Sequence, residues 1–501
     1  MKLSVPYKNR LCAGGVFLLF FVLYALTAQH GVSWQDSGEF QYRLLAGDYF
    51  WNSGIARAHP LYILLGRGFI SIFPYSLKLY GCSLFSGFCM SLALAVLFSV
   101  VARVTSSLGA AFVAVLTLGF SHMCWWMSTV AEVYSLSLLF VMTELFLLYM
   151  YSEKKAVRYL IFLFAVNGAH FSVHNAALLA LPVYGILLIL HAFKSGKRGV
   201  CSFLFATSVW VLAGSMIWWQ VGCCLQDGAG LGDVCGSVLF GKGYMSHVTG
   251  FENFNSSLFL SNMALAAVSF VSLCWVFVPI GLFQFRKQGD ALFLKALIAL
   301  TAVHFLFWIR YFVPDQATFI LPLLGMLAVW CGVGFSAVRK KFCLARAVII
   351  SFVAAGLLIN IAVLCLAPMV AQNFSERVKR NRITPGRSEM TYWLQPWKHT
   401  ETSAQSFTES VSKLLGNGDI LYADSTTAAP FMAAGETASH TLSFELLSPW
   451  TGVDRRSLEK AVTDGRFYVV SPVNGYVPEW LIDGRYTFEK TDVVYRVLKE
   501  D

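Results

Sequence analysis

The residues best suited to chemistry gather in one polar stretch near the start of the chain. Asp36 and Glu39 come first, and Arg57 and His59 follow them. A carboxylate in this stretch can take a proton from an acceptor hydroxyl, and the basic groups can hold a phosphate leaving group. The alternative is a solvated loop in which Asp36 or Ser37 caps a helix and Glu39 occupies its first turn. The residue types alone leave the two interpretations evenly balanced.

Polar groups further along the chain are also candidates. Glu132 directly precedes a long apolar run, and a carboxylate at membrane depth is costly unless it serves a cavity. It could equally be an acidic residue favoured by the dipole at a helix N-terminus. His170 and His174 are four positions apart, as two metal ligands on one helical face would be, but no third ligand is visible. A polar turn that includes Asn175 is therefore favoured over a metal site, and contact with substrate is left open.

A third candidate pair, Arg310 and Asp315, brackets a short aromatic segment. An arginine in such a place could clamp a lipid phosphate with two hydrogen bonds. The alternative is an interfacial anchor beside an exposed aspartate.

The composition places these residues in a membrane protein. Of the 501 residues, 57% are hydrophobic and only 13% are charged, about half the charged fraction of a soluble chain. The net charge of +10 does not indicate nucleic-acid binding, because the basic residues stand in short clusters between apolar runs. We predict an α-helical polytopic protein with about eleven transmembrane helices. The predicted spans are 12–30, 80–102, 107–127, 132–152, 157–173, 175–193, 200–225, 259–285, 291–309, 317–338 and 346–370.

The basic residues between the spans predict the orientation. Sixteen of them fall on one side of the predicted membrane and six on the other, spread over longer stretches. Because cytoplasmic loops carry the excess of Lys and Arg, the N-terminus is expected in the cytoplasm and the 31–79 loop outside. The first apolar run is longer than that of a signal peptide, so a retained first helix is expected.

The tail differs in character. Residues 372–501 are predicted to form a small extracytoplasmic α/β domain, with helices at 406–415 and 456–463, strands at 419–423 and 467–471, and a final hairpin. A basic stretch is at odds with the predicted orientation, because it follows the last predicted span and would lie on the extracytoplasmic side. Either the helix count is wrong by one, or these cations meet lipid phosphates. The stretch consists of Arg377, Lys379, Arg380, Arg382 and Arg387.

The motifs, taken in order, resemble a known family. The run Trp34-x-Asp36-Ser37-Gly38-Glu39 resembles the first-loop motif of the protein O-mannosyltransferase-like family of multi-pass membrane proteins, in the glycosyltransferase C superfamily. Here His59-Pro60 runs straight into Leu61-Tyr62, without the longer Pro/Gly-containing turn usual in that family. Further matching motifs lie at 131–134, 170–175, 310–315 and, more weakly, 419–422.

The resemblance implies a function for the first loop. It implies that residues 1–371 form a glycosyltransferase C-like transmembrane domain, which moves a sugar, mannose by the family name, from a polyprenyl phosphate to a hydroxyl on a protein or glycan. Asp36 would be the general base and Glu39 its neighbour, and direct displacement would invert the anomeric centre. The remaining candidates would contact substrate: Arg57, His59, Glu132, His174, Asn175, Arg310 and Asp315.

Several points are left open by the sequence. No metal ligands are assigned, and the need for a divalent metal is undecided. A bacterial inner membrane is the expected location. A polytopic transporter or lipid flippase without transferase activity remains the alternative, although it would call for charges deep within helices and for paired broken helices.

Overall fold

A computed structural model describes residues 5–51, 53–284, 292–342, 346–373, 384–437, 442–449 and 455–500. Up to residue 373 the described chain contains helices and loops only. Their bounds are α1 Val5–Thr27, α2 Gln35–Ala46, α3 Pro60–Ile70, α4 Lys78–Thr105, α5 Leu108–Gly119, α6 His122–Thr129, α7 Val133–Lys154, α8 Arg158–Val173, α9 Leu181–Ala213, α10 Ser215–Gln226, α11 Leu231–Leu239, α12 Met245–Thr249, α13 Ser256–Ala267, α14 Phe277–Gln284, α15 Leu292–Arg310, α16 Leu321–Phe342 and α17 Arg346–Gln372.

Among the described residues, six helices are long and apolar enough to cross a bilayer. They are Lys8–Thr27, Tyr75–Thr105, Val133–Lys154, Leu292–Arg310, Gln316–Phe342 and Ala347–Gln372. Three sharply bent pairs, α5 with α6, α9 with α10, and α13 extended to Phe270 with Leu273–Gln284, would raise the number of spans to nine. The expected number of about eleven stays a prediction. The prediction counted α8 as a span, although this helix has only 16 residues. It also placed α9, which is kinked at Gly196, in two separate spans.

The membrane part is packed around α4 and α16. Helix α4 contacts α1, α5 and α7, and α16 contacts α5 and α14. The backbones of α14 and α16 nearly touch, since a Cβ on Gly281 would lie 2.0 Å from the Trp330 carbonyl oxygen and one on Gly334 1.9 Å from that of Phe277. Small residues at such crossings are how helices pack closely where lipid gives no hydrophobic driving force.

The polar stretch after α1 is largely helical. Trp34 precedes α2 without a side-chain capping bond, and Gly47 ends the helix in the left-handed conformation. The alternative in which Asp36 or Ser37 caps a helix is wrong, because α2 begins at Gln35 and both residues lie inside its first turn. A short 3-10 turn at Ile55–Arg57 leads to α3, which begins at Pro60 directly after His59.

The described tail is a mixed α/β structure. It contains helices α18 Glu389–Leu394, α19 Ser403–Leu414, α20 Ser425–Gly435 and α21 Arg455–Thr463, and strands β1 Ile420–Tyr422, β2 Glu445–Leu447, β3 Phe467–Val469, β4 Tyr486–Lys490 and β5 Tyr495–Lys499. The strand order is β2-β1-β3-β5-β4, in which β1 pairs in parallel with β2 and β3. The predicted hairpin is β4–β5. The domain boundary at residue 372 stays a prediction.

The tail packs directly on the membrane part. Helix α20 lies against α2, and the backbone N–H of Lys398 donates to the carbonyl oxygen of Thr27 at the end of α1. Of the basic stretch, residues 377–382 lie outside the described residues. Arg387 is buried, forms a two-bond pair with Glu389 and stacks on Tyr392. The expectation that it meets lipid phosphates is therefore wrong for Arg387, because an internal carboxylate already neutralises it.

Candidate active site

The polar residues predicted from the sequence meet around one cavity of about 690 Å³. Its walls come from the first turn of α2, the 3-10 turn before α3, the start of α7, the turn that follows α8 and the segment after α15. The tail closes the cavity with Tyr392, Trp393, Ser425, Thr426 and Pro449. The cavity thus lies where the helices of the membrane part meet the α/β tail.

One guanidinium faces two carboxylates in this cavity. The Nη2 atom of Arg57 lies 3.7 Å from Oδ1 of Asp36 and 3.9 Å from Oε2 of Glu39. The carboxylates differ in their surroundings, because the Asp36 side chain is 51% exposed whereas that of Glu39 is 6% exposed. Asp36 is therefore the more accessible of the two carboxylates.

Glu39 is held from behind by Arg43, whose Nη1 lies 3.5 Å from Oε1 of Glu39. Arg43 is itself fully buried and donates to the carbonyl oxygens of Arg57 and Ala58. Burial and the neighbouring Asp36 raise the pKa of Glu39 to about 8. Because this pKa lies above neutral, Glu39 is mostly protonated at pH 7 and is a poor general base.

Glu132 also faces the cavity. It occupies the N-cap position of α7, yet its side chain makes no capping bond and instead accepts a 2.7 Å hydrogen bond from the Ser37 hydroxyl. The backbone N–H of Glu132 donates a hydrogen bond to the Ser86 hydroxyl. Burial and the neighbouring Asp36 raise the pKa of Glu132 well above its usual range. The geometry thus ties Glu132 to the helix that carries Asp36.

The two histidines of the cavity stack on each other, with ring centroids 5.2 Å apart for His59 and His174. The Nδ1 atom of His59 lies 2.8 Å from the carbonyl oxygen of Val173, and Nδ1 of His174 accepts from the backbone N–H of Ala176. Burial lowers the pKa of His59 well below its usual range and that of His174 to about 3. Both rings are neutral at pH 7, so neither supplies a cation to a phosphate.

The remaining predicted residues divide into two groups. Asp315 lines the cavity and accepts a 3.3 Å hydrogen bond from Tyr134, and burial with the neighbouring Asp36 raises its pKa to about 6. Asn175 lines it too, with its side chain on the carbonyl oxygen of Leu239. Arg310 is not among the lining residues: it donates to the Gly250 carbonyl oxygen and lies 3.7 Å over the Phe251 ring. Its contacts match the anchor interpretation.

His170 and His174 point in different directions despite their spacing. His174 faces the cavity, whereas Nδ1 of His170 lies 2.9 Å from Oε1 of Glu144 inside the helix bundle. Among the described residues, no group of three or more His, Cys, Asp or Glu side chains is arranged to hold a metal ion.

Several lining residues escaped the sequence reasoning. Tyr244 accepts a hydrogen bond from Arg57 at 3.3 Å, and Tyr134 binds Asp315. Tyr392 and Trp393 form an aromatic wall that belongs to the tail. A Tyr in an Ala-Glu-Val-Tyr run beside a candidate carboxylate gave a signal for Tyr134, whereas nothing near Tyr244 or Tyr392 in the sequence marks them.

With this geometry in hand, comparison with solved structures identifies the fold. The chain is similar to ArnT from Cupriavidus metallidurans bound to undecaprenyl phosphate, with a TM-score of 0.60 and 12% identity over 97% of both chains. It is similar to the apo state of the same protein with a TM-score of 0.57 and 13% identity, over 99% of this chain and 98% of the other. No curated protein matches the chain. The chain thus shares the overall fold of ArnT.

The family resemblance is confirmed for the first part of the chain. Residues 36–197 match the family described as protein O-mannosyl-transferase TMEM260 N-terminal domain. This range includes Asp36, Glu39, Arg57, Glu132 and the 170–175 segment, and it ends before Arg310 and the tail. The matched range covers 162 of the 501 residues.

Proposed function

We propose that the protein transfers a sugar from a polyprenyl phosphate to a hydroxyl acceptor on the extracytoplasmic side of a membrane, with Asp36 as the general base. The observation that carries the proposal is the pairing of Asp36 with Arg57 in one cavity, which supplies a reachable carboxylate beside a cation. Asp36 also begins the segment that matches the O-mannosyl-transferase family.

The lining of the cavity supports a lipid-linked donor. One wall is apolar and comes from the membrane part, and it suits a prenyl chain next to the bilayer. Arg57 is the only Lys or Arg that lines the cavity among the described residues, so we assign the donor phosphate to it. The ArnT structure named above holds undecaprenyl phosphate, which is itself a polyprenyl phosphate. In the present chain the apolar wall of the cavity is formed by Leu178, Leu179, Leu239, Phe240, Val248, Phe307 and Phe319.

The proposed reaction is a direct displacement at the anomeric carbon. The acceptor oxygen bonds to that carbon from the face opposite the phosphate, while the bond from carbon to phosphate oxygen breaks and its electron pair stays on the phosphate. Asp36 accepts the proton of the acceptor hydroxyl. Arg57 stabilises the second negative charge that develops on the departing polyprenyl phosphate. The anomeric configuration is inverted.

The other carboxylates have supporting parts in this proposal. Glu39 holds its proton, so it does not compete with Asp36 as a base, and Glu132 and Asp315 present hydrogen-bonding groups to sugar hydroxyls. The excess of basic residues between the predicted spans supports a cytoplasmic N-terminus and an extracytoplasmic cavity and tail. Mannose is proposed as the sugar on the family name alone, and the acceptor is a hydroxyl on a protein or glycan.

The experiment uses the full chain in nanodiscs with a radiolabelled polyprenyl-phosphate mannose and a cell-envelope extract. Wild type is expected to transfer label to an extract component, and Asp36→Asn to lose at least about 100-fold in rate, the lower range for removal of a general base. Asp48→Asn is the matched control, since Asp48 lies just past the other end of α2, accepts from the Phe50 N–H and is not a lining residue.

Two results would count against the proposal. If Asp36→Asn transfers label as fast as wild type, Asp36 is not the base. If wild type instead moves the intact labelled lipid across a vesicle membrane and labels no acceptor, the protein is a flippase.

A further inference from the structure

A buried polar network lies within the helix bundle, away from the reacting groups. Its centre is Glu144, in the middle of α7, which is 1% exposed. Its Oε1 lies 2.9 Å from Nδ1 of His170 and accepts from Nδ2 of Asn167 at 3.2 Å, and its Oε2 accepts from the Tyr184 hydroxyl at 3.0 Å. The second ring nitrogen of His170 lies 2.8 Å from the Ser137 hydroxyl.

A carboxylate buried within a membrane-spanning helix is energetically unfavourable unless it is paired or hydrogen-bonded. Helices α8 and α9 contribute the groups that bind the carboxylate, so the network also fixes α7, α8 and α9 relative to one another. None of Glu144, Asn167, His170 or Tyr184 lines the cavity, which argues against a direct part in the chemistry.

The network does reach the cavity through the turn that follows α8. Nδ2 of Asn167, besides binding Glu144, donates to the carbonyl oxygen of Ala177 at 3.1 Å. Ala177 belongs to the 3-10 turn Asn175–Leu179, which forms part of the apolar cavity wall. The backbone N–H of His174 donates to the carbonyl oxygen of His170 at 2.7 Å. The turn is therefore connected to Glu144 in two ways, through the side chain of Asn167 and through the backbone of His170.

We infer that Glu144, acting through Asn167 and His170, is a positioning residue that holds the 174–179 turn in place to receive the donor lipid. The inference rests on the proposed function, because it assigns the wall formed by this turn to the prenyl chain of the donor. Glu144 touches neither substrate. Its loss changes how tightly the donor binds and leaves the base and its pH dependence intact.

The test measures binding of undecaprenyl phosphate, without sugar, to the full chain in nanodiscs by the change in intrinsic tryptophan fluorescence, because Trp126 and Trp393 line the cavity. Glu144→Leu is expected to raise Kd at least tenfold. Glu144→Gln, which keeps an acceptor oxygen and offers an N–H to Tyr184, is expected to stay within about threefold. Thr143→Ala is the control, since the Thr143 hydroxyl binds only the Leu139 carbonyl oxygen of its own helix.

Turnover provides a second readout. In Glu144→Leu the KM for the labelled donor is expected to rise with Kd, while kcat per folded molecule and the pH profile stay unchanged. A purely structural role would lower the amount of folded protein and leave KM as in wild type.

Each outcome decides the inference. If Glu144→Leu does not fold, Asn167→Leu serves in its place, because it cuts the tie to Ala177 and keeps Glu144 with His170 and Tyr184; it too is expected to raise Kd at least tenfold. If the folded variants bind undecaprenyl phosphate as wild type does, the inference is wrong while the proposed function stands. If wild type itself does not bind the lipid, the proposed donor is wrong and the inference falls with it.

Discussion

Replacing Arg57 with Gln tests the electrostatics of the cavity most directly. Arg57 is the only Lys or Arg that lines the cavity among the described residues, against four acidic side chains: Asp36, Glu39, Glu132 and Asp315. The proposed polyprenyl-phosphate donor carries one negative charge on its phosphodiester, and the departing phosphate would gain a second. Arg57 is therefore needed more in the transition state than in the ground state, and its loss is expected to lower kcat more than it raises KM.

The magnitude follows from the geometry. Two unit charges about 4 Å apart interact with about 4 kcal/mol at an effective dielectric constant of about 20. The Arg57 side chain is 29% exposed, so solvent screens part of this attraction. A charge-assisted hydrogen bond contributes about 1.5–3 kcal/mol net. At about 1.4 kcal/mol per factor of ten, Arg57→Gln should lower kcat/KM by about 10- to 150-fold.

The assay compares initial rates of label transfer over a range of donor concentrations for three variants in nanodiscs. Arg57→Lys keeps the charge and loses the planar fork, so an intermediate loss is expected. Arg67→Gln is the control, because Arg67 is exposed, donates to the Leu45 carbonyl oxygen and does not line the cavity. If Arg57→Gln keeps kcat/KM within threefold of Arg67→Gln, the phosphate does not lie against Arg57 and the reasoning is refuted.

Three further predictions concern the surroundings of Asp36. The folded-state pKa of Glu39, about 8, lies above its ordinary 4.5, so the free energy of unfolding falls as pH rises from about 4.5 to about 8. At about 1.4 kcal/mol per pKa unit this loss is about 4 kcal/mol at pH 8, and Glu39→Gln should remove it, seen as a higher Tm than wild type at pH 8 but not at pH 5. Gly38→Ala places a Cβ 2.1 Å from the Ser33 carbonyl oxygen, so it should lower the free energy of unfolding by about 1–3 kcal/mol and kcat at least tenfold. Gly68→Ala is the control, because a Cβ there has nothing within 4 Å, and it should leave the rate unchanged. Because burial keeps Glu132 protonated, Glu132→Gln should retain activity within about threefold, and a loss above 100-fold would show that its charge is required.

The sequence predicted the parts of the site that lie close together along the chain. Asp36, Glu39, Arg57 and His59 fall in one stretch between two apolar runs, and a polar stretch that leaves a bilayer is visible from composition alone. The spans were predictable for a related reason, because a bilayer demands about 20 apolar residues in a row. Bends within apolar runs carry no such signal, so the exact number of spans could not be read from the sequence.

The aromatic wall could not be predicted. Tyr244 and the Tyr392–Trp393 pair reach the cavity only through the packing of distant segments, and aromatic residues are common throughout this chain. Arg310 shows the opposite error, since its place beside Asp315 in sequence suggested a shared role, yet it turns away to Gly250. The side to which a residue at the end of a helix turns depends on neighbours that sequence distance does not reveal.

Glu144 shows a signal that was present and overlooked. It is an acidic residue within a run predicted to cross the membrane, and such residues mark functional or structural sites by default because they are costly there. Asn167 and His170, three positions apart, place amide and imidazole on one face of α8, where they can satisfy a carboxylate from a neighbouring helix. The spacing first considered, from His170 to His174, joins two residues with different partners.

Helix α2 contacts both parts of the chain at the candidate active site. On one side Ser37 binds Glu132 at the start of α7, and on the other Gly38 packs so closely on α20 that a Cβ added to it would lie 3.0 Å from the Cβ of Ala429. The indole N–H of Trp34, just before α2, donates to the Ser403 hydroxyl of the tail at 2.8 Å. Asp36 is thus carried on a helix clamped between the membrane bundle and the tail.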